Sequence, residues 1–438
     1  MGHHRSPAGR IALAVAVALV NSLVIAGASA AQTDVPGVTD DSVKLGFISA
    51  ETGPASSTGN GAGEACKARI ERANAAGGVN GRTIDLEAVD DQSSPANLDK
   101  AKDLVENRRV FALVNDSALA FLSYRYLRDA GIPVIGGGFD GSYYYDPGNE
   151  YFISGVGDQA PVPGHAYDTP ERLMKKLGAK KFGAVGYAIS ESSSEQAQAS
   201  YDYAAPALGL DPVYLNTAVD FGSTDVGPIV LAIKSSGADA VLMPLNANTN
   251  LAIVQGLQQN GAQMKANLML SGYGQELLDS PVSSILTEHD VFQTGFKPIE
   301  LGGKDVKRFL KDRKKYTSLT GVPDWGEYTG YVTCDIFVTG LELAGEKLTR
   351  QGFVDAVRSL DSYEGAGLIC QPFDFTLERF GTISNTSCQW FATVEDGRFK
   401  ILNKGKPIVG ELVGKPALLE QYARDARGSS TTTIAAGG

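Results

Sequence analysis

VKLGFISAETGP, residues Val43 to Pro54, decides how the chain is read. Val43 to Ile48 reads as a buried strand, and Thr52-Gly53-Pro54 breaks it. Ala62, Cys66, Arg69, Ile70 and Ala73 then recur at helical spacing within Gly59 to Ala76. The loop GGVNGR, Gly77 to Arg82, closes a first β-α unit. Working outward, Thr83 to Val89 reads as a strand, Asn97 to Glu106 as a short amphipathic helix and Val110 to Val114 as a third strand. Ser117 to Ala130 follows as a helix and Ile132 to Ile135 as a strand. Strands alternating with helices predict a parallel sheet covered on both faces. Ligands of such sheets sit at the carboxyl ends of the strands, which directs attention to the loops Thr52 to Thr58, Asn115 to Ala118 and Gly136 to Asp140.

At Gly155 to Pro163 the texture turns to glycine and proline, a natural crossing between lobes, and a second series begins. Lys181 to Tyr187, Val213 to Val219, Ala240 to Pro244, Leu268 to Ser271 and Val291 to Phe296 read as strands. Glu191 to Leu208, Val226 to Ser235 and Thr249 to Asn260 read as the helices between them. Helices are expected over Gly303 to Tyr316 and Tyr328 to Ala344, then strands over Phe373 to Phe375 and Gln389 to Val394. The fold class is therefore α/β, with two doubly wound parallel-sheet lobes. The final stretch, 427–438, with SSTTTIAAGG, is low in complexity and expected to be disordered.

With 438 residues, 43% of them hydrophobic, the chain can bury a core large enough for two lobes. A formal net charge of −11 excludes a nucleic-acid binder, because no basic stripe exists to neutralise phosphates. Residues 1–30 have the form of a signal peptide: Arg5 and Arg10, the apolar run Ile11 to Val20, and the small-residue site Ala28-Ser29-Ala30. Export to the periplasm or cell exterior is the expectation. An uncleaved membrane anchor is the competing reading, since Ile11 to Ala30 approaches a spanning length. No cysteine stands near the cleavage site, which argues against a lipid anchor.

Catalytic sets are missing from the sequence. His165 and His289 have neither HExxH spacing nor a cysteine partner, so no metal is expected, and no GxSxG elbow or Walker A loop is present. Gly136, Gly138 and Gly141 satisfy GxGxxG, but Pro147 and Gly148 forbid the long helix that would meet a pyrophosphate, so no cofactor is expected. Asp90-Asp91 reads as a pair of solvated loop carboxylates. Tyr143-Tyr144-Tyr145 suits a lobe surface or a cleft rim equally well.

The first unit resembles, almost position for position, the opening of the type I periplasmic solute-binding proteins of ABC transporters, the group that includes the leucine/isoleucine/valine-binding protein. The resemblance lies in the turn Thr52, Gly53 and Pro54, the helix-ending Asn74, and the second turn at Gly77, Gly78, Val79, Gly81 and Arg82. It implies two lobes joined by a three-segment hinge, with 41–157 plus 297–362 as lobe 1 and 158–296 plus 363–420 as lobe 2. It also implies a non-enzymatic monomer that captures a small molecule and hands it to an ABC permease. An extracellular sensing module is the alternative.

Carried across position by position, the family's binding loops fall on Thr58, Ser117, Ala118, Gly138, Phe139 and Asp140 in lobe 1, and on Tyr187, Glu191, Asn246 and Tyr273 in lobe 2. The acid that would pair with an α-ammonium falls at Gly272 or Tyr273. An uncharged or partly aromatic solute is therefore expected rather than a branched-chain amino acid. Four cysteines in an exported chain favour disulfides, with three connectivities open. Cys370 and Cys388, flanking a predicted hairpin, are the preferred pair. That leaves Cys66 with Cys334, which the family fold would place in one lobe; buried free thiols are the alternative.

Overall fold

A computed structural model of the protein describes residues 1–2, 35–136, 149–155, 164–376 and 387–415; the stretch read as a leader, the tail and the tyrosine triplet lie outside them. Residues from Pro36 on form a single contact unit containing two separate main sheets. The first is wholly parallel, in the order β2-β1-β3-β4-β5, from β1 (Ser42–Ser49), β2 (Thr83–Asp90), β3 (Ala112–Asp116), β4 (Val134–Gly136) and β5 (Phe152–Ser154). Every residue of β3 is buried, as expected of a strand covered on both faces. Helix α1 (Ala62–Ala75) follows β1.

β6 (His165–Tyr167) opens the second lobe, followed by β7 (Lys181–Tyr187), α2 (Glu191–Ala199), β8 (Asp211–Val219), β9 (Ala240–Met243), α3 (Ala247–Gln259), β10 (Ala266–Met269) and β11 (Asp290–Thr294). β8, β7, β9, β10 and β11 are parallel neighbours in that order. β12 (Cys388–Glu395) and β13 (Arg398–Ile401) extend this sheet antiparallel, and β14 (Ile408–Val409) pairs with β12. β15 (Leu412–Gly414) pairs with β6.

Between β11 and β12 the chain returns to the first lobe as α4 (Lys304–Tyr316), α5 (Trp325–Ala344) and the helix Arg350–Arg358. α5 is buried along most of its length and lies on α1. Gly330 permits this approach, because a Cβ there would overlap the Ala62 carbonyl oxygen. Cys66 and Cys334 join the two helices, with Cα atoms 5.3 Å apart, and Cys370 is bonded to Cys388. One turn beyond Cys66, buried Arg69 donates to Asp335, which also accepts the Tyr363 hydroxyl at 2.8 Å. Arg69 thus belongs to the buried face of α1 because it is paired there.

Several local expectations are corrected. The helix expected from Ser117 is reduced to a 3-10 turn, Ala120–Leu122, and the short helix Tyr124–Asp129. Ser117 and Ser123 instead spend their hydroxyls in a buried polar network, which competes with helical backbone bonding. Asp91 is not solvated: it is buried and accepts from Ser117, from Asn97 at 2.9 Å and from the Ser93 amide at 3.0 Å. Burial pushes its carboxyl up despite those donors. Phe373 makes a single bridge to Tyr363 instead of opening a strand. The helix expected over Glu191 to Leu208 passes through a π turn, Ser200–Ala204, before ending at Ala207.

Candidate functional site

A cavity of about 630 Å³, counting the part continuous with solvent, lies between the carboxyl ends of the two sheets. Lobe 1 contributes Ala55 from the loop after β1, and Ala118 and Leu119 from the loop after β3. Lobe 2 contributes the residues following β7, β8, β9 and β10, as the strand-end rule for parallel sheets requires. None of the described lining residues is charged.

Tyr187, the last residue of β7, anchors the lobe-2 wall. Its hydroxyl donates to Thr249 Oγ1 at 2.9 Å and accepts from the Asn246 amide at 3.2 Å. Burial pushes its pKa above the ordinary tyrosine value, so it stays a neutral hydroxyl. Ser190 caps α2 by accepting from the Ser193 amide, and the Ser193 hydroxyl accepts from the Tyr187 amide and donates to the Pro244 carbonyl. Asn246 caps α3 through Oδ1, which accepts from the Thr249 amide. Its Nδ2 reaches across the cleft and donates to the Pro54 carbonyl at 3.0 Å.

A second contact also joins the lobes. Phe221, after β8, packs against Ala50, Ala55 and Ala118 of lobe 1 and stands 5.1 Å from the Tyr187 ring. Gly222, at φ 71°, lets this loop meet Pro54; a Cβ would come within 2.9 Å of the proline's own. Phe221 is thus both a bolt between lobes and a cavity wall. Phe221→Ala is expected to weaken binding of a ligand seated in this cavity by about tenfold to a hundredfold, from the burial of a phenyl ring. Titration calorimetry checks this, and unchanged affinity would remove Phe221 from the site.

Of the sequence-derived candidates, Ala118, Tyr187 and Asn246 meet at this cavity. Ser117 lies immediately behind the wall, fully buried, with its hydroxyl committed to Asp91. Glu191 is the exposed first residue of α2 and does not line the cavity. Tyr273 borders an adjoining cavity of about 430 Å³. Its hydroxyl donates to Glu300 at 2.7 Å and accepts from the Ile299 amide, and its ring lies 4.5 Å from that of Phe399. Thr58 stands in the helical turn Ser56–Gly59, beyond Ala55. Gly138, Phe139 and Asp140 lie outside the described residues.

Sequence reasoning missed Leu119, Ile189, Ser192, Gln196, Phe221 and Ser271, all lining residues. All but Gln196 fall within five residues of a strand's carboxyl end, so reading outward from each such end would have found them. Gln196 carries no such signal, since only the direction of α2 brings it to the cavity.

A family model described as "Periplasmic binding protein" matches residues 42–398. No curated protein matches the chain. Among solved structures, the fatty acid ABC transporter substrate-binding protein from Thermomonospora curvata is 24% identical, covering 86% of this chain and 94% of its own, with a TM-score of 0.70. A branched chain amino acid ABC transporter protein from Thermus thermophilus with bound valine is 19% identical, covering 85% and 98%, with a TM-score of 0.66. A solute binding protein from R. palustris in complex with benzoate is 15% identical, covering 84% and 98%, with a TM-score of 0.62. At these identities the likeness establishes the fold.

Proposed function

The chain belongs to the periplasmic binding protein family, and from that premise we propose that it is an exported, non-enzymatic monomer that captures a small molecule between its lobes and delivers it to an ABC permease. The observation that carries this reading is a cavity walled by both lobes, at the carboxyl ends of both sheets, with no charge among its described lining residues. A ligand held there contacts both halves of the molecule at once. The Asn246 to Pro54 bond and the Phe221 contact then favour the closed arrangement that a permease would read. Mass spectrometry of material copurifying with the protein tests the proposal. A folded protein that yields no small molecule, and binds none from a metabolite library, would overturn it.

The ligand class follows from the same wall. The relatives named above include proteins described with valine, with benzoate and as a fatty acid carrier, so fold alone does not choose a ligand. The described lining of Tyr187, Phe221, leucines, serines and Asn246 supports an uncharged, apolar or partly aromatic solute that offers hydrogen bonds. An α-ammonium buried there would find no carboxylate partner among the described lining residues, at a cost of about 3 to 5 kcal/mol. Calorimetry with leucine, isoleucine and valine is therefore expected to show no binding at micromolar concentration. Micromolar affinity for any of the three would overturn the ligand class while leaving capture and delivery standing.

A further inference from the structure

Resting on that reading of the cavity, we infer that the ligand carries an uncharged head that both donates and accepts hydrogen bonds, a carboxamide in the simplest case. Gln196 of lobe 2 receives the head, and the ligand's apolar body faces lobe 1.

The two walls differ in chemistry. Among the described residues, lobe 1 offers only Ala55, Ala118 and Leu119, and the nearby Ser117 hydroxyl is turned inward to Asp91. The polar lining side chains all come from lobe 2, but most serve the framework. Ser193 bridges the Tyr187 amide and the Pro244 carbonyl, and Asn246 bridges the Thr249 amide and Pro54. Ser271 donates to the Leu245 carbonyl at 2.8 Å and accepts from Asn250. Gln196 differs, since its side-chain amide makes no hydrogen bond to any described residue while lining the cavity. On α2 it stands four residues after Ser192, whose hydroxyl is already bonded to that of Ser190 at 3.2 Å.

A primary amide presents a donor and an acceptor side by side, and its best complement is another group of that pattern. A carboxylate would face the amide's oxygen with nothing to donate, and an ammonium would face its NH₂ with nothing to accept. A site built to hydrogen-bond such a head rejects analogues that leave its buried groups unpaired. Ile189, 56% exposed yet lining the cavity, places an apolar side chain at the mouth, where the far end of the ligand body would pass.

Calorimetry with octanamide, octanoate and octylamine, and with the matching benzamide, benzoate and benzylamine, tests the assignment. The natural protein is expected to bind the amide of at least one series about tenfold or more tighter than its acid and amine. Gln196→Ala should remove that preference with little change in thermal midpoint, since the Gln196 side chain makes no hydrogen bond to any described residue. Gln196→Glu should transfer the preference to the amine. An acid that binds better than its amide, or a Gln196→Ala variant that keeps the amide preference, overturns the head assignment and leaves the capture function intact. Failure of the natural protein to bind any of the six overturns the assignment together with the apolar ligand class.

Discussion

Replacing Cys66 and Cys334 together by alanine is expected to lower the unfolding free energy by about 5 kcal/mol. The bond closes a loop of sequence separation 268, which contains all of β7 to β11. In the chain-entropy account its contribution grows with the logarithm of that span. Both cysteines are fully buried between α1 and α5, beside the Arg69–Asp335 pair, so the variant also leaves a small void in the tightest helix contact of the first lobe. The Cys370–Cys388 bond spans only 18 positions and should contribute about 3 kcal/mol by the same account. Guanidinium unfolding of the oxidised protein and the two double variants checks both the size and the ranking. A Cys66/Cys334 variant within about 1 kcal/mol of the parent would show that neither loop closure nor helix docking depends on the bond.

Glu171→Gln is expected to stabilise the protein relative to the parent by about 3 kcal/mol more above pH 7 than at pH 4.5. Glu171, in the helix Thr169–Lys176, is fully buried, and the Ser200 hydroxyl beside it makes no well-formed hydrogen bond to either carboxylate oxygen. Burial, aided by the negative charge of Asp168, pushes its pKa up from 4.5 to about 7. The folded protein therefore holds this proton more tightly than the unfolded chain does. The penalty is absent below about pH 4.5, grows as pH rises and is complete above about 7, at about 1.4 kcal/mol per pH unit.

His165 acts in the opposite sense. Burial lowers its pKa from 6.5 to about 4, so its contribution is present above pH 6.5 and lost as pH falls toward 4. Asp324, which burial pushes up to about 8, and the other titrating groups are common to both proteins, so the difference between their two stability curves isolates Glu171. Denaturant midpoints at pH 5 and pH 8 decide it, and parallel curves for the two proteins would show that Glu171 stays ionised in the fold or finds a partner.

The two predictions draw on different kinds of legibility. An even cysteine count and a leader-like N-terminal stretch make disulfides readable from composition, and Cys66 at a helical apolar position already suggests an inward side chain. Glu171 carries no such sign. In TPERLMKK it reads as a first-turn acid favourable to the helix N-terminus, and only packing shows that the carboxylate has been enclosed. Asp91 is the same case: in a run of DDQSS it looks solvated, yet Ser117, 26 positions away, joins its neighbours Ser93 and Asn97 in donating to it.

What the sequence by itself determined is the β-α alternation, the parallel character of the sheets and the strand ends where a ligand would lie. Those follow from local rules: apolar periodicity, turn residues and the chirality of parallel crossovers act over tens of residues. Tertiary structure alone decided which side chains at those ends face the cavity. Ser117 and Tyr273 have the right chemistry but are claimed by Asp91 and Glu300, while Phe221 and Gln196 line the cavity because β8 and α2 bring them to the cleft. A hydroxyl has few hydrogen bonds to give, and whether a neighbour 26 positions away takes one is a property of packing that no local pattern encodes.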